Sequence, residues 1–93
     1  MVRRRIEILD TTLRDGGKLP FAVLTVKDRL ALARRLAHLG VDVIEAGYPV
    51  SSPEEAECVA AVARDVEGPS IAALARCAAR DVEPTVRALE GTR

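Results

Sequence analysis

The sequence predicts an α/β fold with a parallel sheet, and two observations carry that prediction. Three short apolar runs, Ile6–Leu9, Val41–Glu45 and Ser70–Leu74, alternate with segments of helical period. Consecutive strands are separated by ten or more helical residues, at the roughly 30-residue spacing of a βαβ step. The order βαβαβα implies right-handed crossovers. At 93 residues the chain is one small domain, read as a single unit over residues 1–93.

The first strand, Ile6, Ile8 and Leu9, is expected to be buried. It runs into Asp10-Thr11-Thr12-Leu13-Arg14-Asp15-Gly16, which crowds acid, hydroxyl and guanidinium groups into one turn. The carboxyl end of a strand is where α/β proteins place their chemistry. From residue types alone, the same cluster is equally a solvated turn with an Arg–Asp pair. Residues 18–24 form an irregular loop, since Pro20 opposes helix. Thr25 then reads as an N-cap, with Asp28 three residues on in a capping box. Val26, Leu30, Ala33, Leu36 and Ala37 form the apolar stripe, with Arg29, Arg34 and Arg35 largely off it, and Gly40 ends the helix.

Val41–Glu45 is a short β-branched strand ending in Glu45-Ala46-Gly47-Tyr48-Pro49. Ser52-Pro53-Glu54-Glu55 starts a helix strongly: an N-cap Ser, Pro at the first helical position and Glu at the third. That helix runs to about Val66 and stops at Gly68-Pro69. Ser70–Leu74 is the third strand, with Arg76 just beyond it. The last helix spans about Asp81–Leu89, and Gly91 closes it.

Composition excludes several classes. Lys plus Arg equals Asp plus Glu at 14 each, so no global field favours nucleic acid or a membrane surface. No run approaches the roughly 18 apolar residues of a membrane span, and the basic start lacks the apolar core of a signal peptide. Cys58 and Cys77 have no CxxC spacing and sit in apolar, helix-like surroundings. Both are expected to be buried free thiols in a reducing cytoplasm. His38 is the single histidine, placed at a helix end where the dipole favours it, and no zinc site is expected around it.

Asp10-Thr-Thr-Leu-Arg-Asp-Gly16, followed about 30 residues later by Val43-Ile-Glu-Ala-Gly-Tyr-Pro49, resembles a known family. It is the metal-dependent TIM-barrel family that includes 2-isopropylmalate, homocitrate and citramalate synthases and hydroxymethylglutaryl-CoA lyase. Ala73-Leu-Ala-Arg76 is similar to isopropylmalate synthase. The resemblance implies a partial (β/α)8 TIM barrel, the first three βα units of eight, in a family whose barrel needs about 250 residues. It also implies a catalytic Arg14, a metal-ligating Asp15 and a catalytic Glu45 that orients Arg14 or joins proton transfer. The cofactor would be a divalent cation, Mg²⁺, Mn²⁺ or Zn²⁺, with an incomplete ligand set here. The family's His-x-His metal pair lies on a late strand outside these residues, and His38 does not replace it. Tyr48 and Arg76 are placed by position as substrate contacts, with Arg14. Tyr48 is equally simple packing beside Pro49.

The implied reaction is a Claisen-type condensation of an acyl-CoA with a 2-oxo acid. Gly17-Lys18 stands where the family usually has Glu-Gln, and Gly16-Gly17 after Arg14-Asp15 is similar to aldolase-like branches of the superfamily, so a lyase-type reaction stays open. The chain is expected to be the N-terminal subunit or a fragment of such an enzyme, inactive alone and completed by a second polypeptide that brings the histidines. A homo-oligomerising module without catalysis is the alternative. Retention of Arg14, Asp15 and Glu45 favours the first reading.

Overall fold

The structure is a computed structural model, describing residues 4–16 and 24–91. The loop expected over residues 18–24, apart from Leu24, lies outside the described residues, as does the Gly17–Lys18 departure. Helix α2, Val26–Leu39, begins as the sequence dictates: Thr25 Oγ1 accepts the Asp28 N–H at 3.1 Å, and Asp28 Oδ2 accepts the Thr25 N–H at 3.2 Å. Gly40 closes it at φ 88°, in the left-handed region that glycine enters without penalty. Helix α3, Pro53–Asp65, has Pro53 in its first turn and Ser52 Oγ accepting the Glu55 N–H at 3.1 Å. Helix α4 spans Ala79–Ala88, starting two residues before the expected Asp81.

The strands β1, Leu9–Asp10, β2, Val43–Glu45, and β3, Ser70–Ala72, form a parallel sheet in the order β1-β2-β3. Register pairs Leu9 with Val43, Asp10 with Ile44, and Ile44 with Ile71. Sequential order with crossovers of one hand places the crossover helices on one face. Ile44 is fully buried against that layer, in a core with Leu13, Ala33, Val59 and Val62. Side chains alternate along a strand, so Leu9, Val43 and Glu45 point to the other face.

Strand β1 corrects an expectation. Ile6, Ile8 and Leu9 were expected to be buried, yet each is more than half exposed, Leu9 at 55%. The reason is positional: β1 is an outer strand, Leu9 faces away from the helices, and Ile6 and Ile8 precede the ladder. Among the described residues, helices cover this three-stranded parallel sheet on one face only, whereas such sheets are normally buried on both.

Asp10-Thr-Thr-Leu-Arg-Asp-Gly16 is also more ordered than a turn. Thr12–Gly16 forms a short helix, α1. Five residues do not sustain a helix in water. Two contacts hold this one. Asp10 accepts the Thr12 N–H at 2.9 Å and the Thr12 hydroxyl at 3.0 Å. Leu13 is completely buried in the core, a contribution of roughly 2 kcal/mol. With Leu13 pointing inward, Arg14 and Asp15 are carried outward.

Candidate functional site

Arg14, from α1, and Glu45, from the end of β2, meet on the sheet face that the helices leave uncovered. Arg14 Nε donates to Glu45 Oε1. Arg14 Nη1 lies 2.8 Å from Asp15 Oδ1, and the Thr11 hydroxyl donates to Asp15 Oδ2 at 3.0 Å. The structure thus brings the three residues expected to carry chemistry into one cluster. Their settings differ. Arg14 and Glu45 are largely buried, whereas Asp15 is 59% exposed. The hydrogen bond to Glu45, with the charges of Glu45 and Asp15, holds the Arg14 pKa above its ordinary value, so the guanidinium is a permanent cation. No hydrogen bond among the described residues uses Arg14 Nη2. A shallow cleft of about 450 Å³ opens on the Asp15 side of the cluster, lined by Leu9, Asp10, Thr11, Thr12, Asp15 and Gly16.

A second ion pair stands behind the β2 end. Arg29, expected to lie off the apolar stripe of α2, is instead 3% exposed. Its Nη1 donates to the Ala46 carbonyl at 2.9 Å and to Glu55 Oε1 at 3.1 Å, and its Nη2 donates to Glu55 Oε2. Glu55 Oε1 also accepts the Tyr48 N–H at 3.0 Å. The carboxylate therefore turns away from its own helix start to grip the chain after β2. The site leaves no room beside Gly47, where a Cβ would lie 2.6 Å from Arg29 Nη1 and 2.7 Å from Glu55 Oε1. Burying a guanidinium requires such partners. Arg29 lies three residues after Val26 and four before Ala33, which puts it on the buried stripe. That spacing was the available signal.

Tyr48 and Arg76, the expected substrate contacts, converge on a third residue that the sequence reading did not single out. Asp81, in the first turn of α4, is fully buried. Its Oδ2 accepts the Tyr48 hydroxyl at 3.2 Å, the Arg76 N–H at 3.0 Å and Arg76 Nε at 2.8 Å, while Oδ1 accepts Arg76 Nη2 at 2.9 Å. These bonds, led by the Arg76 side chain, hold the Asp81 carboxyl well below the usual carboxylate range. Asp81, Thr85 and Ala88 share the buried face of α4. A polar residue at helical spacing on a buried face was again the signal.

Cys58 is buried, as expected, and burial pushes its thiol pKa up. Cys77 is exposed, against expectation, because it lies in the connection between β3 and α4 rather than in a helix. His38 sits exposed in the last turn of α2. No group of three His, Cys, Asp or Glu residues that would hold a metal occurs among the described residues, and none of their helices is long and apolar enough to cross a membrane.

A family model described as HMGL-like matches residues 5–92. The chain is 53% identical over 87 residues to a 2-isopropylmalate synthase of Pyrococcus furiosus, covering 94% of this chain and 17% of that protein. It is 51% identical over 88 residues to a 2-isopropylmalate synthase of Heliobacterium modesticaldum, covering 95% and 17%. Against a protein of the same name from Methylacidiphilum infernorum it is 48% identical over 90 residues, covering 97% and 18%. The chain therefore spans less than a fifth of the length of these relatives.

Proposed function

The chain belongs to the HMGL-like family, and on that premise we propose that it forms the first three βα units of a 2-isopropylmalate synthase-like enzyme. Further barrel strands, from another polypeptide or from more of the same protein, complete the site. The observation that carries this reading is the cluster of Arg14, Glu45 and Asp15 on the uncovered face of the sheet. That face is the interior of a closed barrel, and the cluster lies at the carboxyl ends of strands, where barrel enzymes work. The exposed Leu9 on the same face supports it, because closure would bury that side chain.

The reaction proposed is condensation of an acyl-CoA with a 2-oxo acid. A base on the strands that close the barrel takes a proton from the acyl α-carbon, and the electron pair of that C–H bond forms the bond to the ketone carbon. The ketone oxygen takes up the negative charge and is then protonated; water cleaves the thioester and CoA leaves as the thiol. Arg14 places a fixed cation for that oxygen, its Nη2 making no hydrogen bond among the described residues. Glu45 fixes the guanidinium plane by accepting Nε–H. A hard divalent cation would act as a Lewis acid on the 2-oxo acid. Asp15 fits one position in its shell. An ionised carboxylate offers about four lone-pair sites, its contacts to Arg14 and Thr11 use two, and its exposed side is open. One carboxylate does not make the site, and the remaining ligands belong to the strands that close the barrel. Condensation of these substrates in the cytoplasm accords with the free thiols of Cys58 and Cys77.

Calorimetric titration of Mn²⁺ tests the reading, with the chain alone and with a polypeptide carrying the remaining barrel strands. Binding should strengthen with the complement and be lost in Asp15→Asn. No gain from the complement, or an Asp15→Asn chain that binds like wild type, would overturn it.

A further inference from the structure

We propose that Asp81 is a positioning residue that locks the chain after β2 to the chain after β3, fixing Tyr48 and Arg76 to receive an anionic substrate group. This rests on the reading above that the strand ends face a 2-oxo acid. Asp81 accepts four hydrogen bonds, one from Tyr48 and three from Arg76, none of them from its own helix. It is therefore not spent on capping α4, whose N-cap, Ala78, offers no side-chain hydrogen bond. A wholly buried carboxylate is costly, and an apolar residue would fill such a position at least as stably. What the carboxylate adds is orientation. Two bonds in the fixed fork of a guanidinium set the plane of Arg76, which is 57% exposed, so its outer edge faces solvent. The Tyr48 hydroxyl, with its proton directed to Asp81, keeps its lone pairs for a ligand. A cation and a hydroxyl held at fixed separation suit a carboxylate that also carries a hydrogen-bond donor or a bound water.

Isotope-labelled chain followed by NMR tests the proposal. Asp81→Asn should accelerate exchange of the Arg76 amide at least about tenfold, since its acceptor loses charge, and should shift the Arg76 Nε resonance. Tyr48→Phe, which removes only the phenol, should also shift Arg76 Nε, because both donors share Oδ2. Should Asp81→Asn fail to fold, Tyr48→Phe decides alone. An Arg76 Nε resonance unmoved by Tyr48→Phe overturns the proposal. In the completed enzyme, Asp81→Asn should raise KM for the 2-oxo acid at least about tenfold and change kcat less. A loss confined to kcat contradicts the positioning role. Absence of condensation in the completed wild type would refute the enzyme reading, while the Arg76 resonances still report whether Asp81 holds the two loops together.

Discussion

Replacing Arg29 with Met deletes the cation between α2, α3 and the chain after β2. The Glu55 carboxylate then loses both guanidinium contacts and keeps the Tyr48 N–H, and the Ala46 carbonyl loses its donor. Breaking a buried ion pair by removing one partner costs about 3–5 kcal/mol. Glu55 remains 20% exposed, so water recovers part of that, and the low end, about 3 kcal/mol, is expected. In a domain of this size each kcal/mol lowers Tm by roughly 4–8 °C, so thermal unfolding followed by far-UV circular dichroism should fall by about 12–24 °C. Arg29→Met/Glu55→Leu should recover at least about 1 kcal/mol of the loss, because the stranded charge is gone. A single variant melting within about 4 °C of wild type would show that the pair is hydrated and that the account of Arg29 is wrong.

Other outcomes follow from the same geometry. Gly47→Ala should destabilise by roughly 1–3 kcal/mol, measured by thermal melts, because its Cβ meets Arg29, Glu55 and, at 3.0 Å, Val59. Asp81 has a folded-state pKa below the ordinary 3.8. Its contribution to stability is therefore complete above that value and is lost as pH falls from there toward the depressed folded value. Melting temperature should drop across this acid window in wild type, and the drop should be smaller in Asp81→Asn. A thiol reagent should label Cys77 at once and Cys58 only on unfolding, since Cys77 is exposed and Cys58 is buried with a raised pKa. Labelling of both at equal rates would contradict the packing of α3.

Helices announced themselves in the sequence because their caps are local. Thr25 with Asp28, Ser52 before Pro53, and Gly40 fix ends through residues within a turn of each other, and the structure places all three as expected. Arg14, Asp15 and Glu45 were legible through two motifs on consecutive strand ends. The long-range polar contacts were harder to read. Arg29 and Glu55 are 26 residues apart, and Tyr48 and Asp81 are 33 apart, so no local pattern pairs them. Their helix faces carried a weaker signal, a polar residue at apolar spacing, which only a known partner converts into a contact. Strand β1 was misjudged for a related reason. Ile6, Ile8 and Leu9 are apolar enough to be buried, but burial depends on what lies opposite, and the described residues put nothing there.

The claim that underlies the rest is that Arg14, Glu45 and Asp15 form part of a reaction centre that further barrel strands complete. Mixing this chain with a polypeptide supplying those strands, and measuring release of free CoA from acetyl-CoA in the presence of a 2-oxo acid and Mn²⁺, tests it most directly. The account predicts release that requires both polypeptides and is abolished by Arg14→Met or Asp15→Asn while the complex still forms. Equal release with wild type and with either variant would contradict it.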